Sequence, residues 1–267
     1  MSVSAEPRPV TAPAFRAAKG RSRLAVVTAY DYTSARLADE AGVDAILVGD
    51  SLGMVIQGHA TSLPVTLRDV IYHTQCVVRG VKRALVIADL PFLTYQVSPR
   101  QAVRSAGKLM KFGGAHAVKL EGGERVADAV RAVVAAGIPV MAHVGLTPQS
   151  VHQFGGFKVQ RDAEQLLADA AAVVAAGAFA VVVESVPADV GAKLTAALPV
   201  PTVGIGAGPG CDAQVLVFHD LLGLFADFTP KFVKRYADLG TAARDAIGAF
   251  AREVRDGTFP GPEHSFR

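Results

Sequence analysis

Five apolar runs in this chain each end on a polar group. Residues 45–48 (AILV) lead through Gly49 to Asp50 and Ser51, 84–88 lead to Asp89, 115–120 to Glu121, 139–142 to His143, and 179–183 to Glu184. The runs are too short and too rich in β-branched residues for helices, and their unbroken apolarity reads as strands buried on both faces. Three further runs, 24–28, 201–205 and 221–225, share that character. The stretches between them carry helix punctuation. Thr33 or Ser34 can cap one helix that closes at Ala41-Gly42, Thr66 opens another, and Ser98-Pro99 opens a third with proline in its first turn. Gly113-Gly114, Gly122-Gly123 and Gly177 mark breaks. Helices are also expected over 12–19, 162–176, 187–197, 211–217 and 230–254. Two connections, 52–65 and 145–159, exceed what a strand-to-helix turn requires, and loops of that length often act as lids.

Eight strands alternating with helices predict an α/β chain folded as a (β/α)8 TIM barrel, with a doubly wound open sheet as the alternative. Against the open sheet, no G-x-G-x-x-G follows the first strand. No shift in composition marks a second domain, so one barrel domain is expected over 12–257. A mobile Pro- and Ser-rich segment over 1–11 precedes it, and a loose tail over 258–267 follows. In a barrel the C-terminal strand ends form the catalytic face, so the five polar groups converge on one mouth.

Composition narrows the function. With 51% hydrophobic residues in 267, the chain can bury a sizeable core. Its 27 basic and 24 acidic residues leave a net charge of +3, and no basic run or aromatic-interleaved patch suggests nucleic-acid binding. No apolar stretch reaches the roughly 18–20 residues that cross a bilayer. The first residues lack the apolar core of a signal peptide. A cytoplasmic protein is expected, with Cys76 and Cys211 as reduced thiols too far apart for metal-ligand spacing.

The polar strand ends suggest chemistry. Asp50 and Asp89 end adjacent strands, and two carboxylates in one pocket repel unless a cation lies between them. Hard oxygen ligands suit Mg²⁺, which takes one or two carboxylates plus waters and substrate oxygens. Glu121 can add a ligand or hold a metal-bound water, and Lys119 can pair with a substrate carboxylate. The same residues can instead form an internal ion-pair network. Glu184 leaves a very apolar strand, which raises a carboxyl pKa towards that of a general base; the alternative is a cap on Lys193. His143 is either an acid/base group or a structural one, and His116 reads as core. Gly204–Gly208 (GIGAG) is either a phosphate cup or a tight turn.

These residues carry a resemblance. Residues 28–77, TAYDYTSARLADEAGVDAILVGDSLGMVIQGHATSLPVTLRDVIYHTQCV, resemble the ketopantoate hydroxymethyltransferases. So do ADLPF (88–92), VKLEGG (118–123), MAHVGLTPQS (141–150), VVVESVP (181–187), GIGAG (204–208) and PKFVKRYADL (230–239). The resemblance runs in order along nearly the whole chain. It departs at Asp212-Ala213-Gln214, where a central glycine is expected. It implies a TIM barrel related to the phosphoenolpyruvate mutase and isocitrate lyase superfamily. It further implies transfer of a one-carbon unit from 5,10-methylenetetrahydrofolate to 3-methyl-2-oxobutanoate through a Mg-stabilised enolate, giving 2-dehydropantoate for pantothenate and coenzyme A. On the matching positions, Asp50 and Asp89 would ligate Mg²⁺ with Glu121 in the metal shell. Asp50, Ser51, Asp89 and Lys119 would contact the oxo acid, and Glu184 would be the base. The folate would lie near 52–65 and 145–159, with Lys158 as a tail contact. The family forms homo-oligomers, decamers among them.

Two other functions compete with this one. Another Mg-dependent 2-oxo-acid lyase or aldolase would typically place a catalytic cysteine in a mouth loop, and neither Cys76 nor Cys211 sits in one. A non-catalytic barrel serving as a binding subunit would have little reason to carry the full set of metal and base candidates.

Overall fold

The computed structural model describes residues 8–225 and 229–266. Eight parallel strands close into a barrel in chain order: β1 Leu24–Thr28, β2 Ala45–Val48, β3 Leu85–Asp89, β4 Ala117–Glu121, β5 Val140–Gly145, β6 Ala180–Glu184, β7 Thr202–Ile205 and β8 Ala213–Leu216. The helices are α1 Ala12–Ala17, α2 Tyr32–Glu40, α3 Leu52–Val55, α4 Leu67–Gly80, α5 Pro99–Lys108, α6 Ala127–Ala135, α7 Val151–Phe154, α8 Ala163–Ala175, α9 Ala188–Ala197, α10 Phe218–Leu221 and α11 Leu239–Asp256. The chain divides into two compact units, Met1–Val217 and Phe218–Arg267. The whole barrel belongs to the first.

Alternate positions of each strand point inward, as a period of two requires. Leu85 and Ile87, Ala117, Met141, and Ala180 and Val182 share one buried cluster with Ala45 and Leu47. α1 adds Phe15 to that cluster, fully buried and edge-on to Phe179 at 5.9 Å. Such pairs add to the gain from area burial alone.

Several local expectations hold. Thr66 caps α4 in a reciprocal capping box with Asp69, and Ser98 caps α5 ahead of Pro99. The cap of α2 differs: Asp31, not Thr33 or Ser34, accepts from the backbone N–H groups of Thr33 (2.8 Å) and Ser34 (3.0 Å). A carboxylate one turn earlier outcompetes the hydroxyls because it reaches two orphan donors at once.

The last strand is the main correction. Residues 211–217, expected as helix, hold β8, and the expected strand 221–225 is instead the end of α10 and a turn through Gly223 at φ +64°. Barrel closure decides this, because β8 must bond both β7 (Val203 opposite Ala213) and β1 (Leu24 opposite Ala213). Ala213 and Val215 are buried while Gln214 is exposed, the alternation a strand needs. Ala213, where a turn glycine was expected, therefore fills a core position. The 221–225 run is apolar, but short apolar runs do not distinguish strand from helix.

At the N-terminal end, residues 1–7 of the expected mobile segment lie outside the described residues, whereas Val10 donates its N–H to Arg83 O at 2.7 Å. In the second unit, α11 starts at Leu239 rather than near 230, capped by Asp238. The residues after Gly257 fold back there, with Phe259 against Phe250 at 5.4 Å. Ile247, Phe250 and Val254 form an exposed apolar stripe on α11. Among the described residues no helix is long and apolar enough to cross a membrane.

Candidate active site

The inward positions of the strands turn polar at their C-terminal ends. Leu85 and Ile87 lead to Asp89, Ala117 to Lys119 and Glu121, Met141 to His143, and Ala180 and Val182 to Glu184. Asp89, Lys119, Glu121 and His143 are all at least 96% buried: 2, 4, 2 and 2% exposed. On β2 the inward position past Leu47 is Gly49. A Cβ there would meet Ser51 Oγ at 2.8 Å and Asp89 Oδ2 at 3.5 Å, so the missing side chain leaves room for these polar groups. Asp50 follows, 4% exposed, and donates its backbone N–H to Asp89 Oδ2 at 2.9 Å.

Lys119 Nζ lies 3.0 Å from Asp89 Oδ1, 3.5 Å from Glu121 Oε1 and 3.2 Å from His143 Nδ1. His143 in turn places Nδ1 3.4 Å from Glu121 Oε1 and Nε2 3.3 Å from Glu184 Oε2. Ser51 Oγ sits 2.7 Å from the hydroxyl of Tyr30, a residue 1% exposed. All seven of the residues named from the sequence, Asp50, Ser51, Asp89, Lys119, Glu121, His143 and Glu184, thus gather at one end of the barrel. Five of the seven, Asp89, Lys119, Glu121, His143 and Glu184, also form the ion-pair network.

Gln149 was not singled out from sequence. It is 6% exposed, and its Nε2 donates to Asp50 Oδ2 (2.9 Å) and Leu90 O (3.0 Å). Its backbone N–H donates to Glu121 Oε2 at 3.1 Å. Tyr95, buried beside it, places its hydroxyl 2.8 Å from Gln149 Oε1 and 2.9 Å from Glu121 O. The only signal in the sequence was position: a polar residue soon after the β5 run, inside one of the two long connections.

Charge in the site is unbalanced. Burial, then the charges of Glu121 and Asp89, push the Asp50 carboxyl up to about 8. Burial also raises Asp89, against the pull of Lys119. Glu121 is held down to about 2: burial opposes ionisation, but Lys119 and His143 outweigh it. Burial and Lys119 oppose protonation of His143, yet the carboxylates of Glu121 and Glu184 beside its two nitrogens lift it to about 9.

A divalent cation fits the Asp50–Asp89 pair. Asp89 Oδ1 is buried and, despite the nearby ammonium, meets no hydrogen-bond geometry. A cation there favours the ionised form of Asp50 against both its burial and the charges of Glu121 and Asp89. Among the described residues no three His, Cys, Asp or Glu side chains already close on one point. The two carboxylates of Asp50 and Asp89 are a donor set of the kind Mg²⁺ takes from a protein, with its other positions left to water and substrate oxygens. Glu121 already engages Lys119, His143 and the Gln149 N–H, and from there it can hold a metal-bound water.

Other sequence candidates lie elsewhere. His116 is exposed, just ahead of β4, where its Nδ1 accepts from Val86 N at 3.2 Å; it is not core because the strand starts one residue later. Lys193 pairs with Asp189 (3.6 Å) rather than Glu184. In the 204–208 segment, a Cβ on Gly208 would strike Ala188 of α9 at 2.4 Å, and one on Gly191 would strike Ala207 O at 2.3 Å, so close packing requires these glycines. Cys76 lies in α4, and buried Cys211 precedes β8, at the opposite end of the barrel from the site. Lys158 is exposed in the connection between α7 and α8.

The model of the family described as ketopantoate hydroxymethyltransferase matches residues 9–262. A 3-methyl-2-oxobutanoate hydroxymethyltransferase of Moorella thermoacetica is 60% identical over 263 residues, 97% of this chain and 98% of that protein. One of Clostridium novyi is 53% identical, covering 96% of this chain and 95% of the other. Among solved structures, a 2,3-dimethylmalate lyase of the PEP mutase/isocitrate lyase superfamily superposes with a TM-score of 0.61 at 20% identity, over 96% of this chain and 91% of that one. A phosphonopyruvate hydrolase complexed with oxalate and Mg²⁺ gives 0.60 at 18% identity, over 95% and 92%. The two structures share the barrel; the family assignment rests on the match along 9–262 and on relatives alike across their full length, and by these the chain belongs to the ketopantoate hydroxymethyltransferase family.

Proposed function

We propose that this chain transfers a hydroxymethyl group from 5,10-methylenetetrahydrofolate to 3-methyl-2-oxobutanoate, forming 2-dehydropantoate for pantothenate and coenzyme A synthesis, with Mg²⁺ as its metal. The observation that carries the reading is the convergence of Asp50, Asp89, Lys119, Glu121 and Glu184 on one barrel mouth in a chain of this family. Its setting is a cytoplasmic homo-oligomer, a decamer by family analogy; the exposed stripe Ile247, Phe250 and Val254 is consistent with association.

Asp50 and Asp89 would hold the metal, with Glu121 steadying a water in its shell. Mg²⁺, when bound, supplies positive charge beside the oxygen where negative charge grows as the proton at C3 leaves. Lys119, fixed by Asp89 and Glu121, offers a cation to the substrate carboxylate. Ser51, oriented by Tyr30, offers a hydroxyl to the same group. Glu184 takes the C3 proton, and His143 Nε2 beside it steadies the carboxylate. The freed carbon then bonds to the donor methylene; a water supplies the hydroxyl oxygen as tetrahydrofolate leaves.

Product analysis tests this directly. The chain incubated with 3-methyl-2-oxobutanoate, methylenetetrahydrofolate and Mg²⁺ should yield 2-dehydropantoate. Cleavage of 2-oxo acids without folate would instead favour a lyase, and no turnover of either kind would favour a binding barrel.

A further inference from the structure

We infer that Tyr95 is a positioning residue for the proposed reaction, on which this rests: its hydroxyl holds the main chain of Glu121 and, through Gln149, the carboxylate of Asp50. β3 and β4 pair as far as Asp89 opposite Lys119, and the Leu90 N–H closes the ladder on Lys119 O at 2.8 Å. The chain then leaves the sheet at Pro91 and turns, while β4 runs on. By the period of two, the N–H and C=O of Glu121 face the same way as those of Lys119, towards a strand that has ended. The other side of β4 is bonded at Gly122 instead, whose N–H donates to His143 O at 2.8 Å. Glu121 is 2% exposed, and main-chain groups buried this deeply need partners.

The Tyr95 hydroxyl fills that gap. It accepts from Glu121 N at 3.1 Å, and its single proton is shared between Glu121 O at 2.9 Å and Gln149 Oε1 at 2.8 Å. Gln149 Oε1 also accepts from Gln96 Nε2 at 3.1 Å. With donors on that side, the amide has one good orientation, in which Nε2 faces the acceptors Asp50 Oδ2 (2.9 Å) and Leu90 O (3.0 Å). Turned over, it would set oxygen against oxygen at Asp50 and N–H against N–H at Gln96. Of the two donors, Gln96 is exposed and Tyr95 is 2% exposed, so water competes for the first and not for the second. The segment that carries Tyr95 is itself held by α5. Gln101 Nε2 donates to Leu93 O at 2.8 Å, and Ser105 Oγ donates to Thr94 O at 2.7 Å. Leu93 is left-handed at φ +62°, and strained backbone of this kind concentrates where a site requires it.

The test titrates the full chain with Mg²⁺ by calorimetry. Tyr95→Phe keeps the ring in its buried seat and removes one oxygen. Mg²⁺ affinity should weaken by about 10–100-fold, the range for groups that orient metal ligands. Thr202→Val removes an equally buried hydroxyl at the other end of the barrel, 2.6 Å from Thr195 Oγ1 and 3.2 Å from Asp212 Oδ2. It should lower the urea midpoint but keep wild-type Mg²⁺ affinity, so a loss of stability alone does not move the readout. A folded Tyr95→Phe with wild-type Mg²⁺ affinity, or equal Mg²⁺ losses in both variants, would overturn the inference. Gln96→Ala carries the test should Tyr95→Phe fail to fold, because Tyr95 is then the donor left at Gln149 Oε1. It should cost far less Mg²⁺ affinity than Gln149→Met; an equal loss, or none in either variant, would overturn the inference. Solvent-deuterium exchange at C3 of the oxo acid by the wild-type chain with Mg²⁺ separates the two levels. Exchange by the wild type, with Mg²⁺ affinity unchanged in Tyr95→Phe, removes the role of Tyr95 and spares the enolate chemistry, whereas no exchange by the wild type removes the proposed reaction.

Discussion

The side-chain amide of Gln149 donates to Asp50 Oδ2 at 2.9 Å while its backbone N–H donates to Glu121 Oε2 at 3.1 Å. One residue after β5 thus ties together carboxylates delivered by β2 and β4. Its amide cannot turn over without loss, because Oε1 accepts from Gln96 Nε2 at 3.1 Å and Tyr95 lies 2.8 Å away. Gln149→Met keeps the length and the backbone N–H but frees Asp50. Residues that orient metal ligands typically matter by about 10–100-fold in affinity or activity. Calorimetric titration with Mg²⁺ and steady-state kinetics should both register a loss of that size. A folded variant with wild-type Mg²⁺ affinity would show that Asp50 needs no such restraint.

Metal dependence follows from the excess of buried negative charge. Excess chelator should abolish turnover, and Mg²⁺ should restore it. Asp50→Ala and Asp89→Ala should each lose Mg²⁺ and oxo-acid binding together, because one ion serves both. Full activity of a chelated sample, with no metal found by elemental analysis, would remove the metal from the mechanism.

The placement of the site was legible because its residues obey two local rules. Asp89, Glu121 and Glu184 end apolar strands, and the period of two then aims each inward. What sequence pattern could not supply was anything set by closure or by contact across the barrel. β8 takes its identity from bonds to β1 and β7, and the brief alternation Ala213-Gln214-Val215 is too short to announce that by itself. Gln149 belongs to a loop with no period, so its role appears only when Asp50, 99 residues away in sequence, arrives beside it. His116 misleads for the opposite reason: an apolar run begun two residues too early turned an exposed approach into apparent core.

Asp212 gives a pH-dependent test of the barrel's other end. It is 8% exposed, and its Oδ2 accepts from Lys19 Nζ (2.8 Å) and Thr202 N (2.9 Å). Burial opposes its ionisation, but these partners hold its pKa below the ordinary 3.8. A depressed folded pKa means stability that is full above the unfolded value and lost as pH falls through the folded one. Asp212→Asn should cost about 1–3 kcal/mol at pH 7 in urea denaturation. The gap to wild type should shrink as pH falls below 3.8, as wild-type Asp212 also protonates. A gap independent of pH would assign the loss to packing.

The proton-transfer step is isolated by Glu184→Gln. Glu184 stands on β6, two strands away from β4, and among the described residues only His143 lies within ion-pair distance. Among the described residues it makes no hydrogen bond or ion pair to Asp50 or Asp89, so its replacement should leave Mg²⁺ and oxo-acid affinity close to wild type. The amide retains shape and a hydrogen bond but accepts no proton. Loss of a general base typically lowers kcat by about 10²–10⁴-fold. Exchange of the C3 proton with solvent deuterium, measured by NMR without folate, should fall in parallel, because it reports proton removal alone and not the later carbon–carbon bond. A fall in kcat with wild-type exchange would place Glu184 after proton removal. Wild-type rates in both assays would move the base elsewhere, with His143, 3.3 Å from Glu184 Oε2, the next group to replace.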